Sequence, residues 1–404
     1  MNRSKLLLAI LLSLFFIASF NAVSGYSSNQ PADALDWARI DAFLRIASRV
    51  KTDVWPGWEP DRTPILLYGP GEGEFLINHP APPDGFKQVI PSPLPQHQVF
   101  YNPKNQSSGI TATILSVAGI GAITIPKKSA YEQAVTDSMK RHLGKQDFDR
   151  RFPSGSYHEA TRVYISMMAH EAFHTLQLSR RDERAAGWPP MQKYYNLSAE
   201  NNALRRIESG LLYRAVTAQT EAERLARAAE FLNLRHYRRQ RLSNGFVDLE
   251  RWQEWVEGGA TYVESRFASE ASRLELRNVL GQDRDFSGFV NTKDSDPRLE
   301  LLRSSDVQHC GNFYWTGLAI AYLLDRVEPS WKQNYFAPTR YLDDLLSEAL
   351  AKSCQAQVID SRSLLAAHQY EKVLAEERAN LGKRRFEVDR LVGQLIEHRD
   401  PNRR

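Results

Sequence analysis

The spacing of apolar positions changes character once along the chain, near residue 128. Residues 36–50 carry apolar positions at helical spacing. From 55 to 126 the apolar residues fall in short runs (65–68, 75–77, 99–101 and 110–125), broken by Pro70-Gly71 and by Pro82-Pro83-Asp84-Gly85. Short runs between Pro and Gly pairs are strand signals. From Ser129 onward the spacing is helical almost to the end, with starts expected near Ala130, Tyr157, Ala199, Glu221, Leu249, Tyr314, Tyr341 and Ser361. Strands followed by helices imply an α+β chain. Its expected parts are a leader over 1–25, a β-rich part over 26–128, a mainly helical part over 129–350 with a helical insertion at 187–247, and a C-terminal helical segment over 351–404.

Local chemistry refines these elements. Ser156 with Glu159 forms an S-x-x-E capping box for the helix expected near Tyr157, Thr220 with Glu223 caps another, and Asp248 is a candidate cap for the one after it. Arg224, Arg227, Arg235, Arg238, Arg239 and Arg241 suggest a solvated face on the insertion. The segment over 360–399 carries an incomplete apolar stripe among many charges, as a helix packed onto the body or one that binds a partner would.

With 404 residues and 42% hydrophobic positions, the chain can bury a large core. The formal net charge of +4 includes Arg3 and Lys5, so the remainder is nearly neutral and lacks the basic footprint of a nucleic-acid binder. Arg3 and Lys5 precede an apolar run over 6–20 and then Ala22, Ser24 and Gly25, the layout of a secretory signal cleaved after Ser24 or Gly25. The run is shorter than the ~20 residues of a spanning helix, so no membrane span is expected after cleavage. The expected location is periplasmic or secreted. Cys310 and Cys354 can pair in an oxidising compartment or stay buried as thiols, and their spacing does not choose.

The chemistry concentrates in His170-Glu171-Ala172-Phe173-His174. Residues four apart on an α-helix share a face, so His170 and His174 can aim at one point, while Glu171 stands beside the pair and reaches a water activated there. This pattern points to Zn2+, with Glu171 as general base. Catalytic zinc takes a third protein ligand. The candidate is Glu257, followed by three small residues in a segment whose Trp252, Trp255, Tyr262 and Val263 mark it as buried. Glu254, Glu257 and Glu264 share a helical face by spacing. Glu264 is placed to hold a histidine through its free ring nitrogen. Glu208 is a possible metal neighbour or an ordinary surface acid.

H-E-x-x-H followed by E-G-x-A-x-Y-x-E resembles the gluzincin metallopeptidases. The resemblance implies a zincin-like fold, with His170, His174 and Glu257 as zinc ligands and Glu171 as base. Tyr314-Trp315-Thr316-Gly317 is similar to the Y-x-K-G segment of the branch containing leukotriene A4 hydrolase-type and glycyl aminopeptidases, which implies that Tyr314 stabilises the oxyanion. His309 is a substitute donor. Thr316 stands where that branch has lysine, and the gap from His174 to Glu257 is longer than the family's, as a helical insertion would make it. The branch also has an edge strand whose glutamate holds the substrate's amine. The nearest counterpart is 119–125, with Thr124 in the acid's place, so aminopeptidase specificity does not carry over. As an edge strand it would bind peptide through the backbone of Gly121, Ala122 and Ile123, and as a core strand it would not.

The expected function is a zinc metallopeptidase acting on peptide or protein substrates outside the cytoplasm. Hydrolysis of a non-peptide bond and a non-catalytic binding role on the same scaffold are the alternatives; the intact Glu171 argues against the second. Oligomeric state is left open.

Overall fold

The structure is a computed structural model, and it describes residues 32–69, 71–104, 112–180, 198–292, 296–303, 311–353 and 360–383. The expected leader, His309, Cys310 and Cys354 lie outside the described residues. In chain order the main elements are α1 (Ala34–Val54), β1 (Ile65–Tyr68), β2 (Glu74–Ile77), β3 (Lys87–Gln88), β4 (Val99–Asn102), β5 (Thr113–Val117), β6 (Ile120–Pro126), α2 (Lys128–Leu143), α3 (Thr161–Ser179), α4 (Ala199–Thr217), α5 (Glu221–Arg239), α6 (Asn244–Gln253), a π-helical turn (Glu254–Gly258), α7 (Gly259–Ala271), α8 (Gly311–Val327), α9 (Leu342–Lys352) and α10 (Ser361–Ala367). This is a mixed α+β chain with one six-stranded sheet near its start and helices after it. None of the described helices is long and apolar enough to cross a membrane.

Two compact units divide the chain, Met1–Glu183 with Gly259–Asp296, and Arg184–Gly258 with Pro297–Arg404. In the first, Asp33 and Asp36 close a reciprocal capping box on α1. The sheet order is β3-β4-β2-β1-β6-β5. All four residues of β1 are buried, as its unbroken apolar run requires of a strand covered on both faces. The apolar run over 110–125 holds a hairpin: Ala118 and Gly119, both at positive φ (46° and 81°), turn β5 into β6.

Of the two readings of 119–125, the hairpin gives the core strand and corrects the placing of an open edge at Gly121, Ala122 and Ile123. β6 lies inside the sheet, parallel to β1 through Ile65↔Ile123 and antiparallel to β5 through Ser116↔Gly121, Leu115↔Ala122 and Ile114↔Ile123. The backbone of Gly121, Ala122 and Ile123 is therefore committed to neighbours within the sheet. The edge strand on this side of the sheet is β5, and the one on the far side is β3.

The motif helix α3 packs across β5 and β6 and against α1 and α7. It begins at Thr161, later than expected, because Ser156 and Glu159 do not form the capping box. The Ser156 hydroxyl meets His158 Nε2 at 2.8 Å, and Glu159 accepts the Tyr157 hydroxyl and the Ala160 amide. The helix start is instead held from a distant segment. The Thr161 amide donates to the Asp285 carbonyl at 3.2 Å, and its hydroxyl to Asp283 at 2.7 Å, which also accepts from Arg39 of α1. Tyr164 donates to the Pro126 carbonyl at 2.7 Å, tying α3 to the end of β6. Trp55 packs on Phe173, ring centroids 4.7 Å apart, and the Trp58 indole donates to the Ala172 carbonyl. The middle of the motif is thus fixed by buried aromatics.

In the second unit, Ser198 and Thr220 cap α4 and α5 by accepting from the amides of Asn201 (3.0 Å) and Glu223 (3.2 Å). The helix expected from Asp248 starts earlier, after Ser243, so Asp248 lies inside α6 and does not cap it. The arginines of α5 do not form one solvated face. Arg235 and Arg238 are only 3% and 2% exposed, because buried acids from α4, α6 and the π turn meet them.

Candidate metal centre

His170 and His174 lie on one face of α3, buried, with ring centroids 4.7 Å apart. Each is oriented through Nδ1. His174 Nδ1 is 2.6 Å from Gln177 Oε1, one turn along the same helix, and His170 Nδ1 is 3.4 Å from Glu264 Oε2 on α7. An imidazole that donates through Nδ1 keeps its lone pair on Nε2, the form that binds metal, and Gln177 Oε1 and Glu264 Oε2 are acceptors placed beside the two Nδ1 atoms for such donation. Contact of Glu264 with a histidine ring is expected from the sequence, and His170 is the ring it meets. Gln177 was not anticipated, since a glutamine three residues after a histidine has no signature of its own.

Glu257 lies in the π turn, which runs without a break into α7. The ligand atoms of His170, His174 and Glu257 all lie within 4.8 Å of one another. Donors at roughly 2.0–2.2 Å from one tetrahedral zinc ion stand about 3.4 Å apart, so the three side chains would close together to share it. Two imidazoles and a carboxylate are the donor set of a three-ligand zinc site, which leaves a fourth position for water. The residues present fit the ion.

Glu171 is 3% exposed on α3, beside His170. Glu254, expected on the face of Glu257, points elsewhere. A π turn takes more residues per turn than an α-helix, so a spacing of three no longer returns to the same face. The Glu254 carboxylate accepts from Arg235 at 2.7 and 2.8 Å and from Thr316 Oγ1 at 2.7 Å. Glu208 is buried and accepts from Arg235 and Arg238, both at 2.7 Å, so it is neither a metal neighbour nor a surface acid.

Tyr314 is buried on α8, three residues before Gly317. A Cβ on Gly258 would stand 2.4 Å from Gly317 Cα, and one on Gly317 would stand 2.4 Å from the Glu254 carbonyl oxygen. The π turn and α8 therefore cross in backbone contact, which only glycine permits. Glu257 flanks this crossing on the turn and Tyr314 stands one turn away on α8.

Burial sets the electrostatics of the surrounding acids. For Glu250 and Glu208 burial acts upward on the carboxyl, and the adjoining arginines outweigh it and hold both below the usual range. Asp343 is lowered to about 2 by Arg239, Arg251 and Arg235 against the same effect of burial. Glu159, before α3, is pushed up to about 6, chiefly by burial. Compared with family models, curated protein sequences and solved structures, the chain matches none.

Proposed function

We propose that the chain is a zinc-dependent peptidase of gluzincin type, acting outside the cytoplasm on peptide or protein substrates. The observation that carries this reading is the convergence of His170, His174 and Glu257, drawn from two places far apart in sequence, to ligand atoms within 4.8 Å. The two Nδ1 contacts support it, because they direct both imidazoles toward a shared ligand. When bound, zinc supplies a Lewis acid that polarises the scissile carbonyl and lowers the pKa of water towards ~7.

The chain's own groups do the rest. Glu171 accepts the proton of the attacking water and passes it to the leaving amine, which is why a carboxylate must follow the first histidine. The Tyr314 hydroxyl donates to the developing oxyanion, a contribution of roughly 3 kcal/mol for a well-placed donor. Substrate backbone adds to the edge strand β5, which packs with α3, rather than to Gly121, Ala122 and Ile123. Thr124, in the place of the aminopeptidase acid, is 2% exposed within the sheet, so nothing there favours a free amino terminus.

A quenched-peptide library with the mature chain tests the reading. Glu171→Gln should retain zinc and lose hydrolysis by roughly 10²–10⁴-fold. Hydrolysis at the wild-type rate by that variant would remove Glu171 from the reaction.

A further inference from the structure

We propose that Arg235 and Thr316 are positioning residues for the third metal ligand, acting through Glu254. This inference rests on the metal reading above. A π turn is rare and stays in place only where its surroundings over-determine it. Glu257 is carried by such a turn, so whatever holds the turn also aims Glu257.

Two contacts bracket it. At its start, both oxygens of Glu254 are occupied: Arg235 Nη1 donates to Oε2 at 2.8 Å, Arg235 Nη2 donates to Oε1 at 2.7 Å, and Thr316 Oγ1 donates to Oε1 at 2.7 Å. Arg235 has no freedom to follow a moving partner. Its Nε donates to Glu208 at 2.7 Å, and its guanidinium lies over the Phe231 ring, 4.5 Å from the centroid. Arg235, Glu254 and Thr316 are all at most 4% exposed, so these bonds are shielded from water and screening. At the end of the turn, Gly258 meets Gly317, the residue after Thr316. Thr316 and Gly317 thus touch the first and last residues of the turn, and Glu257 is caught between. If the Glu254 bonds were lost, the turn could relax toward α-helical winding, and Glu257 would turn away from His170 and His174.

The experiment is zinc affinity of the full mature chain, measured by competition with a chromophoric chelator using zinc alone. It is paired with urea unfolding of the metal-free form. Thr316→Val keeps the shape and deletes the donor, and it should weaken zinc about 10–100-fold, the usual cost of removing an outer partner. Thr316→Ser restores the hydroxyl and should return affinity to near wild type. Arg235→Lys keeps the charge but loses the paired bonds, and should weaken zinc similarly; it decides the matter if Thr316→Val does not fold. A merely structural role would lower metal-free stability and leave the zinc affinity of the folded protein unchanged, which would overturn the proposal. A wild type that binds no zinc would overturn the metal reading and this inference with it.

Discussion

His170 and His174 are oriented by partners of different origin, Glu264 from another helix and Gln177 from the same one. The local partner suits a test, because it reaches His174 from one turn along the same helix. Gln177→Ala should weaken zinc about 10–100-fold, by chelator competition, with little loss of helix signal in circular dichroism. An unchanged affinity would mean that the ring needs no anchor. At this scale the grouping of His170, His174 and Glu257 was legible in the sequence, since a spacing of four on a helix and a glutamate before small residues carry their geometry with them. The acids around the centre were not. Glu254 read as sharing the face of Glu257, and Glu208 as a metal neighbour or surface acid, because their arginine partners on α5 lie in a different stretch of sequence, and burial that neutralises a charge leaves no local mark.

Among the elements, the π turn and α8 cross with their backbones in contact. Gly317→Ala would place a methyl 2.4 Å from the Glu254 carbonyl oxygen and 2.6 Å from Gly258 Cα, both backbone atoms that cannot swing away. Its expected cost is roughly 1–3 kcal/mol or more in urea unfolding, together with weaker zinc binding as Glu257 shifts. Gly210, inside α4 with nothing within 4 Å of a built Cβ, is the contrast. Gly210→Ala should stabilise by about 0.5–1 kcal/mol, since it removes only a helix-weakening glycine. Equal effects at the two positions would contradict a glycine-dependent crossing. The helices themselves were visible from apolar spacing, and several starts fall within a few residues of those expected. The π turn was not, because one widened turn leaves no periodic trace. Nor was the place of β6 in the sheet: a parallel partner, β1, comes from far earlier in the chain, and such pairing is set by topology rather than by the strand's own residues.

For the whole molecule, two sets of buried acids respond to acid in opposite senses. Glu208, Glu250 and Asp343 of the second unit have folded pKa values below their unfolded ones, so their contribution is present above the unfolded carboxylate range and is lost as pH falls through the folded values. Glu159 of the first unit has a folded pKa raised to about 6, so the folded state takes up a proton first and gains stability as pH falls from about 6 to its unfolded value. Hydrogen exchange followed by mass spectrometry should show helices α4 to α6 losing protection below about pH 4, while the segment before α3 holds or gains between pH 6 and 5. Protection falling in both regions together from pH 6 would contradict these assignments.

The central claim is a three-ligand zinc centre, and the most direct measurement is the zinc content of the purified mature protein beside that of Glu257→Gln after the same mild chelator wash. About one zinc per wild-type chain and much less in the variant is the result that the His170, His174 and Glu257 geometry requires. Equal zinc in both would place the third ligand elsewhere, and no zinc in either would contradict the metal centre itself.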